Sequence, residues 1–114
     1  MGSEEHLRIE VRTEPDRVIL ELDGELDLLA APLLQARIEQ ADVGSRGILV
    51  LDLGELQFVD SAGLRVILAA HESARQRGQE FALTKGSDQV QRLLSIAGVD
   101  EHLRIIDSAG DILV

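Results

Sequence analysis

Hydrophobic and polar positions change rhythm along the chain, and each rhythm predicts an element. Leu7-Arg8-Ile9-Glu10-Val11 alternates with period two, as a half-buried strand does. Glu14-Pro15-Asp16 supplies turn chemistry. Arg17 to Leu22 then forms a second strand, with Glu21 and Asp23 on the face opposite Val18, Leu20 and Leu22, and Gly24 ends its pattern. The short connection makes these two strands an antiparallel hairpin. From Asp27, a candidate N-cap with Pro32 close to the first turn, Leu29, Leu33, Ala36 and Gln40 follow a helical spacing to about Ala41. Gly44-Ser45-Arg46-Gly47 is a loop, and Ile48-Leu49-Val50-Leu51-Asp52-Leu53 is a nearly unbroken apolar run. Such a run suits a central parallel strand buried on both faces.

The segment 54–59 reads as a turn leading into a helix from Ser61 to about Arg77, stopped by Gly78. On that helix Leu64, Ile67, Leu68, His71 and Ala74 share one face, Arg65, Ala69 and Glu72 lie on the outer face, and Val66 lies partly outward. Phe81-Ala82-Leu83 is a short strand, Ser87 or Asp88 caps a helix to Ala97, and Leu103 to Ile106 is a last strand. Strands alternating with helices require crossovers. The predicted class is α/β: one domain over residues 1–114, a mixed, mostly parallel sheet with helices packed against it and an N-terminal antiparallel hairpin.

Composition removes several function classes. A chain of 114 residues with 45% apolar content holds one core and is not disordered. There is no cysteine, hence no disulfide and no thiolate metal site. The formal charge is −10, and six of those charges fall within residues 1–27, where nine acids face three arginines. Such a surface repels DNA and anionic membranes and favours a basic partner. With two phenylalanines and no tryptophan or tyrosine, almost nothing can stack on bases. No apolar run approaches a membrane span, and Met1 to His6 carries acids where a signal peptide needs positive charge. The expectation is a cytoplasmic protein with no nucleic-acid or membrane partner and no cofactor.

Chemistry concentrates in Phe58-Val59-Asp60-Ser61-Ala62-Gly63-Leu64, between the buried strand and a helix start. Ligands of open α/β sheets sit beyond the carboxyl ends of strands, and a helix N-terminus there offers unpaired N–H groups and the positive end of a dipole. Ser61 at this point caps the helix, a role worth about 1 kcal/mol, or accepts a phosphate that meets the same donors. One residue can do both. Arg65, one turn on, lies within reach of such a phosphate or of a partner's acid, while Ala62 and Gly63 keep the approach to the hydroxyl open. Asp27 sits at a strand-to-helix loop on the same edge of the sheet. A second Asp-Ser-Ala-Gly at 107–110 is followed by only four residues, too few for a long helix. His6, His71 and His102 are scattered without metal-ligand spacing, and His71 lies at the edge of the helix core face. Ser61 lacks both a Gly-x-Ser-x-Gly elbow and a nearby sequence histidine for a triad.

Gly24-Glu25-Leu26-Asp27, followed by Leu51-Asp52-Leu53 and Phe58 to Leu64, resembles the STAS domain of bacterial anti-sigma factor antagonists. The likeness covers nearly the whole chain, continuing through Arg75-Gln76-Arg77-Gly78 and Leu94 to Val99. It implies that Ser61 is phosphorylated by a partner that is both anti-sigma factor and GHKL-type serine kinase. It further implies that the unphosphorylated form binds this partner and frees a sigma factor, and that a metal-dependent serine/threonine phosphatase resets the switch. The partner surface carried over is Asp27, Asp60, Ser61, Ala62, Gly63, Leu64 and Arg65, with the exposed side of the second helix. The chain departs from the family pattern at Gly54, often serine, at Leu28-Leu29, more apolar than in many relatives, and in its acidity. Alternatives are a STAS signalling or transport-regulator protein with another partner, and a hydrolase using Ser61 as nucleophile.

Overall fold

The computed structural model describes residues 6–44 and 47–111; Ser45 and Arg46 of the expected loop fall outside that range. Two antiparallel strands, β1 (Leu7–Glu14) and β2 (Arg17–Leu26), meet at the Pro15–Asp16 turn. Across this hairpin Arg8 pairs with Asp23 and Arg12 with Glu21, exposed ion pairs worth about 0–1 kcal/mol each. The remaining elements are α1 (Ala31–Gln40), β3 (Ile48–Val59), α2 (Ser61–Gln76), β4 (Glu80–Thr84), α3 (Asp88–Ile96), a 3₁₀ turn (Val99–Glu101) and β5 (Ile105–Ile106). The sheet runs in chain order, β1-β2-β3-β4-β5, with every pair after the hairpin parallel.

Alternation sorts side chains onto two faces. Val18, Leu20 and Leu22 of β2, Leu49, Leu51 and Leu53 of β3, and Phe81 and Leu83 of β4 share the main core with Leu34 of α1, Ile67 of α2, and Val90 and Leu94 of α3. A smaller cluster on the opposite face joins Ile19 and Val50 to Ala109. There the buried guanidinium of Arg17 donates to the carbonyls of Ala109 (2.9 Å) and Asp111 (2.7 Å), which ties the C-terminal segment across the sheet.

Several element edges differ from the sequence reading. The segment 54–59 is not a turn but the end of β3, pairing with β2 as far as Leu26↔Val59. Register irregularities between Glu21 and Asp23 and between Gly24 and Glu25 accompany a change in spacing: Leu53, Leu56 and Val59 are buried every third residue. That spacing hides a strand from a period-two search. For the same reason β2 continues past Gly24 to Leu26. Gly24 has φ +121°, and a Cβ there would lie 2.0 Å from the His6 carbonyl oxygen, so the position requires glycine. On α1 the core residues are Ala31 and Leu34, not the expected Leu29 and Leu33, because the helix starts later than Asp27. On α2, Ala70 is buried whereas Leu68 faces out. The last strand is only two residues long. Ser87 caps α3, accepting from the Val90 N–H.

Candidate functional site

The carboxyl ends of β2 and β3 lie side by side, and the chain leaves both into helices on the same edge. Asp60 joins the two exits. Its N–H donates to the Leu26 carbonyl (3.1 Å) and its carbonyl accepts from Leu64 N–H (2.9 Å), the first bond of α2. One carboxylate oxygen accepts from Gly63 N–H (3.0 Å) and the other from Leu28 N–H (3.0 Å). Asp60 is therefore the N-cap of α2, in extended backbone geometry.

This corrects the assignment of the cap to Ser61. Ser61 is the first residue of the helix, exposed, and its hydroxyl has no hydrogen-bond partner among the described residues. Gly63 also has a different role from the one expected. It is buried, and a Cβ would lie 2.6 Å from Leu26 Cγ, 2.7 Å from the Leu26 carbonyl oxygen and 2.9 Å from Val59 Cγ2. The missing side chain lets the helix start press directly on the ends of β2 and β3. Ala62 and Leu64 are half-buried; Arg65 is exposed and makes no ion pair or hydrogen bond among the described residues.

Asp27 does not cap α1, whose N-cap position is Ala30 with no side-chain bond. Instead one Asp27 oxygen accepts from the N–H groups of Leu29 (3.1 Å) and Ala30 (3.0 Å), and its carbonyl accepts from Ala30 and Ala31. That makes a tight turn before the helix. The same oxygen meets His6 Nε2 at 2.9 Å. This hydrogen bond from His6 is the main cause, ahead of the Ala30 and Leu29 N–H groups, holding the Asp27 carboxyl below its ordinary range against the opposing effect of burial.

The structure thus brings Asp27 and Asp60 to one turn, each gripping a consecutive amide of Leu28-Leu29, with Ser61 beside them. Sequence reasoning missed His6. The signal lay in the hairpin: counting back from Pro15–Asp16 pairs Leu7 with Gly24 and leaves His6 level with the end of β2. His71 is displaced from Ser61 along α2 by about 15 Å, half-buried against Phe81 with its Nδ1 unpaired. At that separation His71 cannot form a triad with Ser61. Among the described residues no group of three or more His, Cys, Asp or Glu is placed to hold a metal, and no helix is long and apolar enough to cross a membrane.

The profile of the STAS domain matches residues 8–112. The chain belongs to the STAS-domain family. An anti-sigma-B factor antagonist of Listeria monocytogenes is 32% identical over 107 residues, covering 93% of this chain and 94% of that protein. The crystal structure of an anti-sigma factor antagonist from Mycobacterium paratuberculosis superposes with a TM-score of 0.79 at 23% identity, covering 90% of this chain and 87% of that one. SpoIIAA matches in its unphosphorylated form (TM-score 0.69, 20% identity, 86% and 87% covered) and, as the Bacillus cell fate determinant, in its phosphorylated form (0.63, 19%, 87% and 89%). These likenesses fix the STAS fold: a mixed five-stranded sheet with three helices.

Proposed function

We propose that this STAS domain is an anti-sigma factor antagonist switched by phosphate on Ser61. Unphosphorylated, it binds an anti-sigma factor that is also a GHKL-type serine kinase, and so frees a sigma factor. Phosphorylation ends the binding, and a metal-dependent serine/threonine phosphatase restores it. Asp27, Asp60, Ser61, Ala62, Gly63, Leu64 and Arg65 form the surface the partner meets. The regulatory class is supported by the Listeria relative, and the compatibility of the fold with phosphate by the two forms of SpoIIAA.

The observation that carries this reading is the idle hydroxyl of Ser61 beside a working Asp60 cap. Because Asp60 already satisfies Gly63 N–H, modification of Ser61 breaks no bond of the fold. The Ser61 and Ala62 N–H groups are not used by that cap, so phosphate oxygens can turn to them and to the positive end of the α2 dipole. Arg65 lies one turn away. Phosphate brings about two negative charges to a surface that already holds Asp27 and Asp60. Docking against an acceptor site crowded with nucleotide phosphates weakens through like-charge repulsion, without refolding.

The test is to incubate the purified protein with native lysate and Mg-ATP and measure intact mass beside Ser61→Ala. One added phosphate, absent from the variant, is expected. No mass added to the wild type, with demonstrably active kinases, would leave Ser61 an ordinary surface serine.

A further inference from the structure

Two consecutive leucines stand in solvent at the edge of this site. Leu28 is 70% and Leu29 78% exposed, and Leu33, one turn into α1, is also exposed. They are not on a slack loop. Leu28 N–H is bound by Asp60, Leu29 N–H by Asp27, and Ala30 N–H by both the side chain and the carbonyl of Asp27. The main chain is pinned at successive residues while both side chains point away from the core, whose α1 positions are filled by Ala31 and Leu34. An apolar pair held in this way loses little backbone freedom when it is covered.

Resting on the reading of Ser61 as a phosphate acceptor, we propose that Leu28 and Leu29 form a docking ridge for the kinase that modifies Ser61 and determine which kinase is accepted. The occupant follows from position and charge. Leu28 N–H is 3.0 Å from a carboxylate oxygen of Asp60, the residue next to Ser61. A specific protein interface covers about 800 Å² per partner, a disc with a radius of roughly 16 Å. A kinase interface of that size centred on the Ser61 hydroxyl covers the ridge as well. The carboxylates of Asp27 and Asp60 sit on the amides of the leucines themselves, on a chain of net charge −10, so the complementary surface is an apolar socket with a basic rim. A second copy of this chain fits poorly, because it would set the same acids against one another.

The experiment follows the initial rate of Ser61 phosphorylation by intact mass, with a fixed amount of native lysate and Mg-ATP and varied concentrations of the protein. The double variant Leu28→Ser/Leu29→Ser is expected to raise the apparent KM at least about tenfold, since each leucine loses its burial in the complex. The maximal rate at saturating protein and the thermal unfolding should match wild type. Leu28→Met/Leu29→Met, apolar and similar in volume, should restore KM. An unchanged KM in the serine variant, with wild type still phosphorylated, overturns the ridge and leaves the switch standing. Failure of wild type itself to take phosphate overturns the switch and the ridge with it. Loss of self-association on sedimentation in the serine variant, with KM unchanged, assigns the ridge to a second copy and also overturns the proposal.

Discussion

Asp-Ser-Ala-Gly occurs as Asp60 to Gly63 and again as Asp107 to Gly110. In the first copy the aspartate is bonded and the serine is free: Asp60 holds Gly63 and Leu28, and Ser61 holds nothing among the described residues. In the second the roles reverse. Ser108 donates through its hydroxyl (3.2 Å) and its N–H (3.1 Å) to Asp111, while Asp107 is exposed with no bond among the described residues. The glycines differ as sharply. Gly63 is wedged against the Leu26 backbone, whereas a Cβ on Gly110 would meet nothing within 4 Å. One tetrapeptide opens a sixteen-residue helix; the other closes a turn whose Ala109 is pulled into the sheet by Arg17. A serine hydroxyl is available for chemistry when a neighbouring residue already holds the helix cap.

Substitutions at three pairs of residues tell the two copies apart. The largest effect is expected at the glycines. Gly63→Ala should cost about 1–3 kcal/mol in denaturant unfolding, since the Leu26 backbone cannot yield as a side chain could, while Gly110→Ala stays within about 0.5 kcal/mol. Equal stability of the two variants would remove the close approach as the feature that separates the copies. Next come the aspartates. Asp60→Ala should cost about 1–2 kcal/mol and speed hydrogen exchange at the Leu28 and Gly63 amides, whereas Asp107→Ala should do neither. The smallest effect is at the serines: Ser61→Asp should shift stability by no more than about 0.5 kcal/mol while weakening partner binding, and Ser108→Ala should leave phosphate incorporation at the wild-type level. A fall of several degrees in the melting temperature of Ser61→Asp would make Ser61 a structural serine.

The order of elements was legible because burial imposes simple periods. Leu49 to Leu51 is buried on both faces within the nearly unbroken run from Ile48 to Leu53, and the two-residue turn at Pro15–Asp16 fixes the hairpin. Legibility failed where the period changed. The irregular register between β2 and β3 replaces alternation by every third residue at Leu53, Leu56 and Val59, and a strand reads as a turn. At the site, the segment Asp60 to Leu64 could be located but its division of labour could not. Aspartate and serine are equally good cap residues, they are adjacent here, and only the three-dimensional path decides which one reaches Gly63. His6 on Asp27 is a contact between residues distant in sequence, visible only once the hairpin register is fixed.

Asp27 and Asp60 grip the main-chain amides of Leu28 and Leu29, not their side chains. The frame therefore accepts at these two positions any residue that keeps its N–H, which excludes proline alone. In the course of descent, positions 28 and 29 can drift through many identities without disturbing the helix start or the serine beside it. Duplicated copies of such a domain can then come to differ at two exposed side chains while keeping the same turn and the same exposed serine.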